Sequence, residues 1–173
     1  MNRKEEIDAR IETLQEELEK LKKQREWIEK PITERIKTFD DAVEELGIEH
    51  PLVKQYMAAA NGDESLTRNT FAYIKLQIVA AALNEGWSPY LLNKDMRWYP
   101  WYSIIPRSEN SWSRCSLAYA ASYAAWPNSI ADYSAILAVK SKEISDYFGN
   151  QFIDIWEEYL LDGCEIEKHD TDV

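Results

Sequence analysis

Glycine, cysteine and histidine are scarce in this chain of 173 residues, which contains five, two and two of them respectively. So few glycines leave little material for a glycine-rich phosphate-binding loop, and the sequence carries no HExxH motif, Ser-His-Asp set or Cys-His pair. Cys115 and Cys164 lie far apart and form no CxxC motif, which predicts reduced thiols and no zinc site. We therefore expect no catalytic residue, no metal ion and no cofactor, and interpret the chain as a non-enzymatic protein.

Long apolar runs and an excess of cations are also missing. The longest uninterrupted apolar run, residues 78–83, falls far short of the roughly 20 residues that span a bilayer. The first residues, Met-Asn-Arg-Lys-Glu-Glu, lead into charged sequence and do not form a secretory signal. With 20 Lys and Arg against 31 Asp and Glu, the net charge is −11, which disfavours direct binding to nucleic acid because phosphate contacts need surplus cations. We expect a cytoplasmic protein without membrane contact.

The charge is distributed unevenly along the chain. Residues 38–86 and 142–173 carry net charges of −5 and −8, whereas the aromatic-rich residues 87–141 carry +2. This contrast predicts acidic surfaces, chiefly within 40–64 and 142–172, that fit a basic partner. A plainer interpretation is that the acidic surface serves solubility.

The N-terminal sequence contains a heptad ladder. Isoleucine and leucine recur at alternating spacings of four and three residues, with one interruption by an arginine at an a position. This pattern is typical of a coiled-coil seam, in which the a and d side chains of one helix meet those of another. The predicted oligomerisation residues are Ile7, Ile11, Leu14, Leu18, Leu21, Arg25 and Ile28.

The charges beside this seam favour a parallel pair of helices. In register, the flanking g and e′ positions place Arg3 beside Asp8 and Glu17 beside Lys22, and the other two pairs are neutral. We therefore expect a homo-oligomer, with a dimer favoured and Arg25 as a polar element that fixes register. Mixed isoleucine and leucine at a and d leave a trimer open. The competing interpretation is that this helix packs against its own domain.

Helical signals follow the ladder. Capping residues and glycines delimit predicted helices at 39–46, 52–60 and 66–85. The third of these is apolar nearly all round, which predicts the central core element.

The second half of the chain predicts a sheet and a last helix. Segments 97–105, 114–123 and 133–140 alternate apolar and small residues and indicate three antiparallel strands, while 142–161 indicates a C-terminal helix. The expected fold is therefore α+β, with an N-terminal coiled-coil helix, a helical segment, a three-stranded antiparallel sheet and a C-terminal helix. The expected divisions are a stalk at 1–37, an α+β body at 38–162 and an acidic tail at 163–173.

The segment Trp98-Tyr99-Pro100-Trp101-Tyr102 is the strongest functional signal. Strand alternation puts Trp98 and Tyr102 on one sheet face and Tyr99 and Trp101 on the other, and a domain this small cannot easily bury both. Aromatic rings near arginines are typical of protein-interface hot spots and of base-stacking platforms. Simple packing is the third interpretation. The predicted partner-binding residues are Arg97, Trp98, Tyr99, Trp101, Tyr102, Arg107 and Arg114.

Four stretches of the body carry a family resemblance. They are His50-Pro51-Leu52-Val53 with Tyr56, residues 72–76 running to 82–87, Arg97-Trp98-Tyr99-Pro100-Trp101, and residues 140–144 leading to 148–156. In these stretches, across roughly residues 38–161, the chain resembles an uncharacterised family of small proteins from phages and integrated mobile elements in gut and related bacteria. The resemblance implies a mobile-element origin, hence the cytoplasm of a host bacterium, and it implies no catalytic residue.

Three functions follow as hypotheses. Phages and mobile elements encode small acidic proteins that block host defence nucleases, so the first is an anti-CRISPR type of inhibitor that binds a host nuclease or ribonucleoprotein. The alternative is an oligomeric virion or assembly component, for which the coiled coil would be essential. The second alternative is binding of single-stranded nucleic acid.

Overall fold

A computed structural model describes residues 3–61, 67–88, 96–106, 115–125 and 135–161. The chain divides into two units, Met1–Arg35 and Ile36–Val173. The predicted tail at 163–173, and Arg107 and Arg114 of the predicted partner-binding set, lie outside the described residues. Within the described ranges, no helix is long and apolar enough to cross a membrane.

The first unit is helical. Helix α1 spans Arg3–Ile28, and a single-turn helix, α2 at Ile32–Arg35, follows it. Pro31 separates the two helices, and its carbonyl accepts a hydrogen bond from the N–H of Glu34 at 2.9 Å. Because proline lacks an N–H and has a helix-compatible φ, it suits the start of a helix and not the interior of one.

Two short helices open the second unit, α3 at Phe39–Leu46 and α4 at Pro51–Ala60. Thr38 and Asp41 form the predicted capping box, in which the N–H of Asp41 donates to Thr38 Oγ1 at 3.1 Å and the N–H of Thr38 donates to Asp41 Oδ2 at 2.9 Å. Gly47 ends α3 with a φ of +78°, a value that favours glycine. The sequence signals for both helices are confirmed.

Helix α5, Arg68–Asn84, is the core of the body. It contacts α3, α4 and α7 and buries apolar side chains on nearly every side, as its all-round apolar sequence predicts. Glu85 and Gly86 then leave the helix with positive φ values of 48° and 84°. The fully buried side chains of α5 include Leu76, Ile78, Val79 and Leu83.

The sheet has two strands among the described residues, and the body is of the α+β class. Strand β1 spans Arg97–Pro106 and pairs antiparallel with β2, Cys115–Ala125. The predicted third strand at 133–140 is wrong. Residues Ala135–Leu137 form a 3₁₀ helix, and Val139 makes a single isolated bridge to β1.

Pro100 explains why the segment around Val139 forms only one residue pair with β1. Trp98 and Val139 exchange both backbone hydrogen bonds, at 3.1 and 3.0 Å. Alternate residues of a strand direct their N–H groups to the same edge, so the next donor on this edge of β1 would come from position 100. Proline has no N–H, and the ladder cannot continue there.

Two helices end the described chain, α6 at Lys142–Gln151 and α7 at Ile153–Leu160. Ser141 caps α6 by accepting the N–H of Ile144 at 3.3 Å. The sequence predicted one helix over 142–161, but the backbone of Phe152, with φ −112° and ψ 27°, breaks it in two.

A buried asparagine holds the segment before α6 against α5. Asn84 is 3% exposed, and its side-chain amide donates to the carbonyl of Ala138 at 2.8 Å while its carbonyl accepts the N–H of Lys140 at 3.0 Å. The ammonium of Lys140 also pairs with Glu85 at 2.6 Å. Both polar ends of the asparagine are therefore satisfied despite its burial, as a stable core requires.

Cys115 is disulfide-bonded, which contradicts the expectation of reduced thiols. The other cysteine of the sequence, Cys164, lies outside the described residues. Disulfides are more usual in oxidising compartments than in a bacterial cytoplasm. The cytoplasmic location therefore stays a prediction.

Helix α6 lies close against the sheet at Gly149. A Cβ atom at this position would lie 2.7 Å from Cβ of Pro100 and 2.7 Å from Cδ2 of Tyr119. Since real Cβ contacts are longer than this, only glycine fits between the helix and the two strands.

We expect Gly149→Ala to destabilise the body. Overpacking a well-packed site costs about 1–3 kcal/mol, and the better helix propensity of alanine offsets about 1 kcal/mol of this, so the middle of that range gives a net loss of about 1 kcal/mol. Urea unfolding followed by circular dichroism measures the difference. Asn150→Ala is the matched control, because Asn150 is exposed on the same helix. Equal stability of the two variants would contradict the tight approach at Gly149.

Candidate protein-binding surface

The β1–β2 hairpin has two different faces, and a bulge sets which residues lie on each. Trp101 pairs with Ala121 and Tyr102 with Tyr119, so β2 holds one extra residue, Ala120, between these pairs. Helices α6 and α7 contact the hairpin. We call the face against these helices the inward face and the opposite face the outward face.

Tyr102 belongs to the inward face. Its hydroxyl donates to the carbonyl of Gly149 at 3.0 Å, and its ring centroid lies 5.5 Å from that of Trp156. Burial raises the pKa of Tyr102 far above its usual range, so the hydroxyl remains a neutral donor. The buried indole N–H of Trp156 has no acceptor among the described residues. The inward face is therefore a packed aromatic layer.

A polar network joins β2 to α6 beside this layer. The hydroxyl of Tyr119 donates to Asp146, and the ammonium of Lys142 donates to the other carboxylate oxygen of Asp146 at 2.7 Å. Ser122 lies 3.0 Å from the Tyr119 hydroxyl and donates to Ser145 at 2.7 Å.

The protonation states of this network suit a structural link. Burial raises the pKa of Asp146, but hydrogen bonds from Lys142 and Tyr119 outweigh it and leave that pKa below its usual value. Burial, together with the hydrogen bond to Asp146, raises the pKa of Tyr119. The carboxylate is thus held as an anion and the phenol as a neutral donor, while Ser145 is fully buried. None of these groups combines exposure with the near-neutral pKa that a general base requires.

The outward face carries exposed aromatic rings. Trp101 and Tyr123 are each 60% exposed, although their ring centroids lie only 5.3 Å apart in an edge-to-face pair. Tyr99 lies directly across the ladder from Tyr123 and is half-buried. Farther along β1, Ile105 shares the parity of Trp101 and is 45% exposed, while Ile104, on the parity of Tyr102, is 67% exposed near the end of the strand. Exposed aromatic and aliphatic side chains on one hairpin form a surface of the kind that protein partners cover.

The structure separates the residues that the sequence grouped as one partner-binding set. By alternation, Arg97, Tyr99 and Trp101 share the outward face, whereas Trp98 and Tyr102 share the inward face with Pro100. Tyr102 is anchored in the body, which removes it from the surface available to a partner.

Sequence reasoning missed Tyr123 as a surface residue. It was placed at the end of a predicted strand, but its partner across the sheet depends on the register of β2 against β1. Tyr119 and Tyr123 are four positions apart, so regular alternation would place both tyrosines on the same face of β2. The bulge at Ala120 reverses the alternation between them. Tyr119 therefore points inward and Tyr123 outward.

Several acidic side chains of the predicted acidic surfaces are used within the body. Glu157 Oε1 accepts the N–H of Leu117 at 2.8 Å, and Glu158 forms ion pairs with Arg68 at 3.6 Å and Lys75 at 3.5 Å. The carboxylates of α7 thus attach that helix to β2 and α5. On α3, by contrast, Asp40 and Glu44 are exposed.

The heptad seam of α1 is uncovered. The apolar a and d side chains from position 7 to position 28 are all 48–68% exposed. Arg25 interrupts them and pairs at 3.4 Å with Glu29, which directly follows the helix. Trp27 is 45% exposed and lies at a c position, off the seam. An apolar stripe along an exposed helix is the surface that a second helix covers in a coiled coil.

Comparisons of the chain with protein-family models, with curated proteins and with solved structures find no match. Within the described ranges, no three His, Cys, Asp or Glu side chains converge as metal ligands would.

We expect the two faces of the hairpin to differ sharply in their effect on stability. Tyr102→Ala removes a half-buried ring that packs on Trp156 and donates to the carbonyl of Gly149, and it should lower the free energy of unfolding by about 3 kcal/mol, the low end for truncating a large ring. Trp101→Ala removes an exposed ring whose edge-to-face pair contributes about 0.5–1.5 kcal/mol, so its cost should be of that order. Urea unfolding of both variants tests this, and a large loss for Trp101→Ala would mean that the outward face is covered in the folded protein.

Proposed function

We propose that the protein is a non-enzymatic interaction protein of a phage or mobile element, and that the outward face of its hairpin binds a protein partner. The observation that carries this proposal is the exposed pair Trp101–Tyr123, two large rings at 60% exposure on a hairpin whose other face is packed. Aromatic anchors of this size dominate the energetics of protein interfaces. A partner that covered these rings would remove from water the apolar surface that the fold of the body leaves exposed.

The partner we propose is a host defence nuclease or ribonucleoprotein, of the kind that anti-CRISPR proteins inhibit. Such proteins handle nucleic acid through basic grooves, and this chain has a net charge of −11. Exposed acids such as Asp40 and Glu44 on α3 would speed association, while the outward face would supply affinity. Binding should therefore weaken as salt rises.

An oligomeric virion or assembly component is the second candidate. The uncovered heptad seam of α1 favours it, because that seam suits a second helix of the same chain. Both candidates share the self-association of α1. In the first candidate the outward face binds the partner, whereas in the second the oligomer itself is the functional unit. Binding of single-stranded nucleic acid by stacking on Trp101 is a further candidate, detectable as nucleic acid that co-purifies with the chain.

We expect Trp101→Ala to abolish capture of the partner without unfolding the body. A tagged chain would be expressed in bacteria that carry defence systems, purified by affinity, and analysed by mass spectrometry with absorbance at 260 nm recorded. Trp27→Ala is the matched control, because Trp27 is also exposed but lies on α1, off the seam. The wild type and this control should capture a nuclease or ribonucleoprotein in stoichiometric amount, and Trp101→Ala should not.

Other outcomes of this experiment decide against the inhibitor. Capture of capsid or tail components from infected cells alone would establish the assembly candidate. Recovery of nucleic acid without protein, lost in Trp101→Ala, would establish a stacking platform. Undiminished capture of a nuclease by Trp101→Ala would show that the outward face is not the binding surface.

We also expect the charges beside the seam to control self-association. Glu17→Lys places a lysine beside Lys22 of a second copy in the parallel register and should raise the dissociation constant about fivefold, in line with about 1 kcal/mol for an exposed pair of charges. Glu17→Lys with Lys22→Glu should restore it in part, because Lys22 also pairs with Glu19 of its own helix at 2.8 Å and that pair is lost. Glu16→Lys is the control, with the same charge change at the outer f position. Sedimentation equilibrium measures these constants, and equal weakening by both single variants would contradict the parallel pairing.

A further inference from the structure

We propose that Arg25 limits the α1 coiled coil to two strands and sets its register, with a second copy of this chain as the occupant of the seam. This inference rests on the proposed self-association and names the residue that decides its form. Arg25 is the one polar residue at an a or d position between Ile7 and Ile28, all of which lie in the described part of α1.

The local geometry places the charged end of Arg25 beside the seam. Its Nε lies 3.4 Å from Oε1 of Glu29, one turn farther along at an e position, and the two side chains are 73% and 65% exposed. The ion pair holds the guanidinium towards the flank of the seam. From there the side chain can lie along the interface with its aliphatic part while its charged end stays in water.

Such a position is compatible with two strands and not with three. In a two-stranded coil, the a side chains sit beside an open flank, so a long cationic side chain reaches solvent. In a three-stranded coil, the a side chains point towards an enclosed axis, where three guanidinium groups would meet without water or counter-charge. A cation at a single a position therefore favours the dimer at a cost in affinity.

The same residue fixes the register. In the aligned parallel pair, Arg25 of one copy lies beside Arg25 of the other, and both reach the flanks. A shift by one heptad would instead place Arg25 of one copy against Leu18 of the other. A charge would then face an apolar layer, and Arg25 of the second copy would be no better accommodated. The attractive pairs Arg3–Asp8 and Glu17–Lys22 form in full only in the aligned register.

Replacing the arginine should change the number of strands. Arg25→Ile creates isoleucine at successive a and d positions, 25 and 28, which is the pattern that shifts parallel coils towards trimers. Arg25→Lys keeps a cation at the a position. Glu29→Gln keeps Arg25 and removes only its ion pair, so it separates the polar layer from the pair that supports it.

The test is sedimentation equilibrium of the full chain and these three variants. We expect the wild type, Arg25→Lys and Glu29→Gln to reach twice the chain mass, and Arg25→Ile to reach three times that mass at the same concentration. A wild-type trimer would overturn the inference, as would an Arg25→Ile variant that remains dimeric. In the latter case the proposed self-association would stand. A wild type that stays monomeric at the highest concentrations would overturn the self-association itself.

Discussion

The packing of α6 and α7 against one face of the hairpin is the contact on which the body depends. A two-stranded hairpin is marginally stable by itself in water and needs a layer to cover its apolar face. Here the layer closes at Gly149, where the absence of a side chain brings α6 against Pro100 and Tyr119. Hydrogen bonds among Tyr119, Asp146 and Lys142 then link β2 to α6 at the edge of that contact. The outward face is what remains once one side of so small a sheet is covered.

Local signals in the sequence were sufficient for the helices of the body. Thr38, Gly47 and Pro51 act through atoms close to them in the chain, so their effects can be deduced without knowing the fold. Such local signals do not determine the number of strands in the sheet. The sequence indicates that Pro100 disturbs a strand, but which edge loses its donor depends on the pairing of Trp98 with Val139.

The candidate surface was predictable in kind but not in membership. Alternation along β1 correctly separates Trp101 from Tyr102, and it also implies that only one face can be buried. Which face is buried depends on where α6 and α7 lie. The contribution of Tyr123 depends on the register and on the bulge at Ala120. Both are long-range properties that no local pattern specifies.

The two hydrogen bonds of the Asn84 side chain determine how the sheet ends at residues 138–140. Val139 directs its backbone groups to β1, so Ala138 and Lys140 direct theirs away from the sheet, and the primary amide of Asn84 meets both as a neighbouring peptide would. Along residues 138–140, a side chain from a helix thus takes the place of the next strand. An open edge is a template on which chains of other molecules can add and aggregate. At this point the fold presents no such template, because the last hydrogen bonds of the sheet are already made.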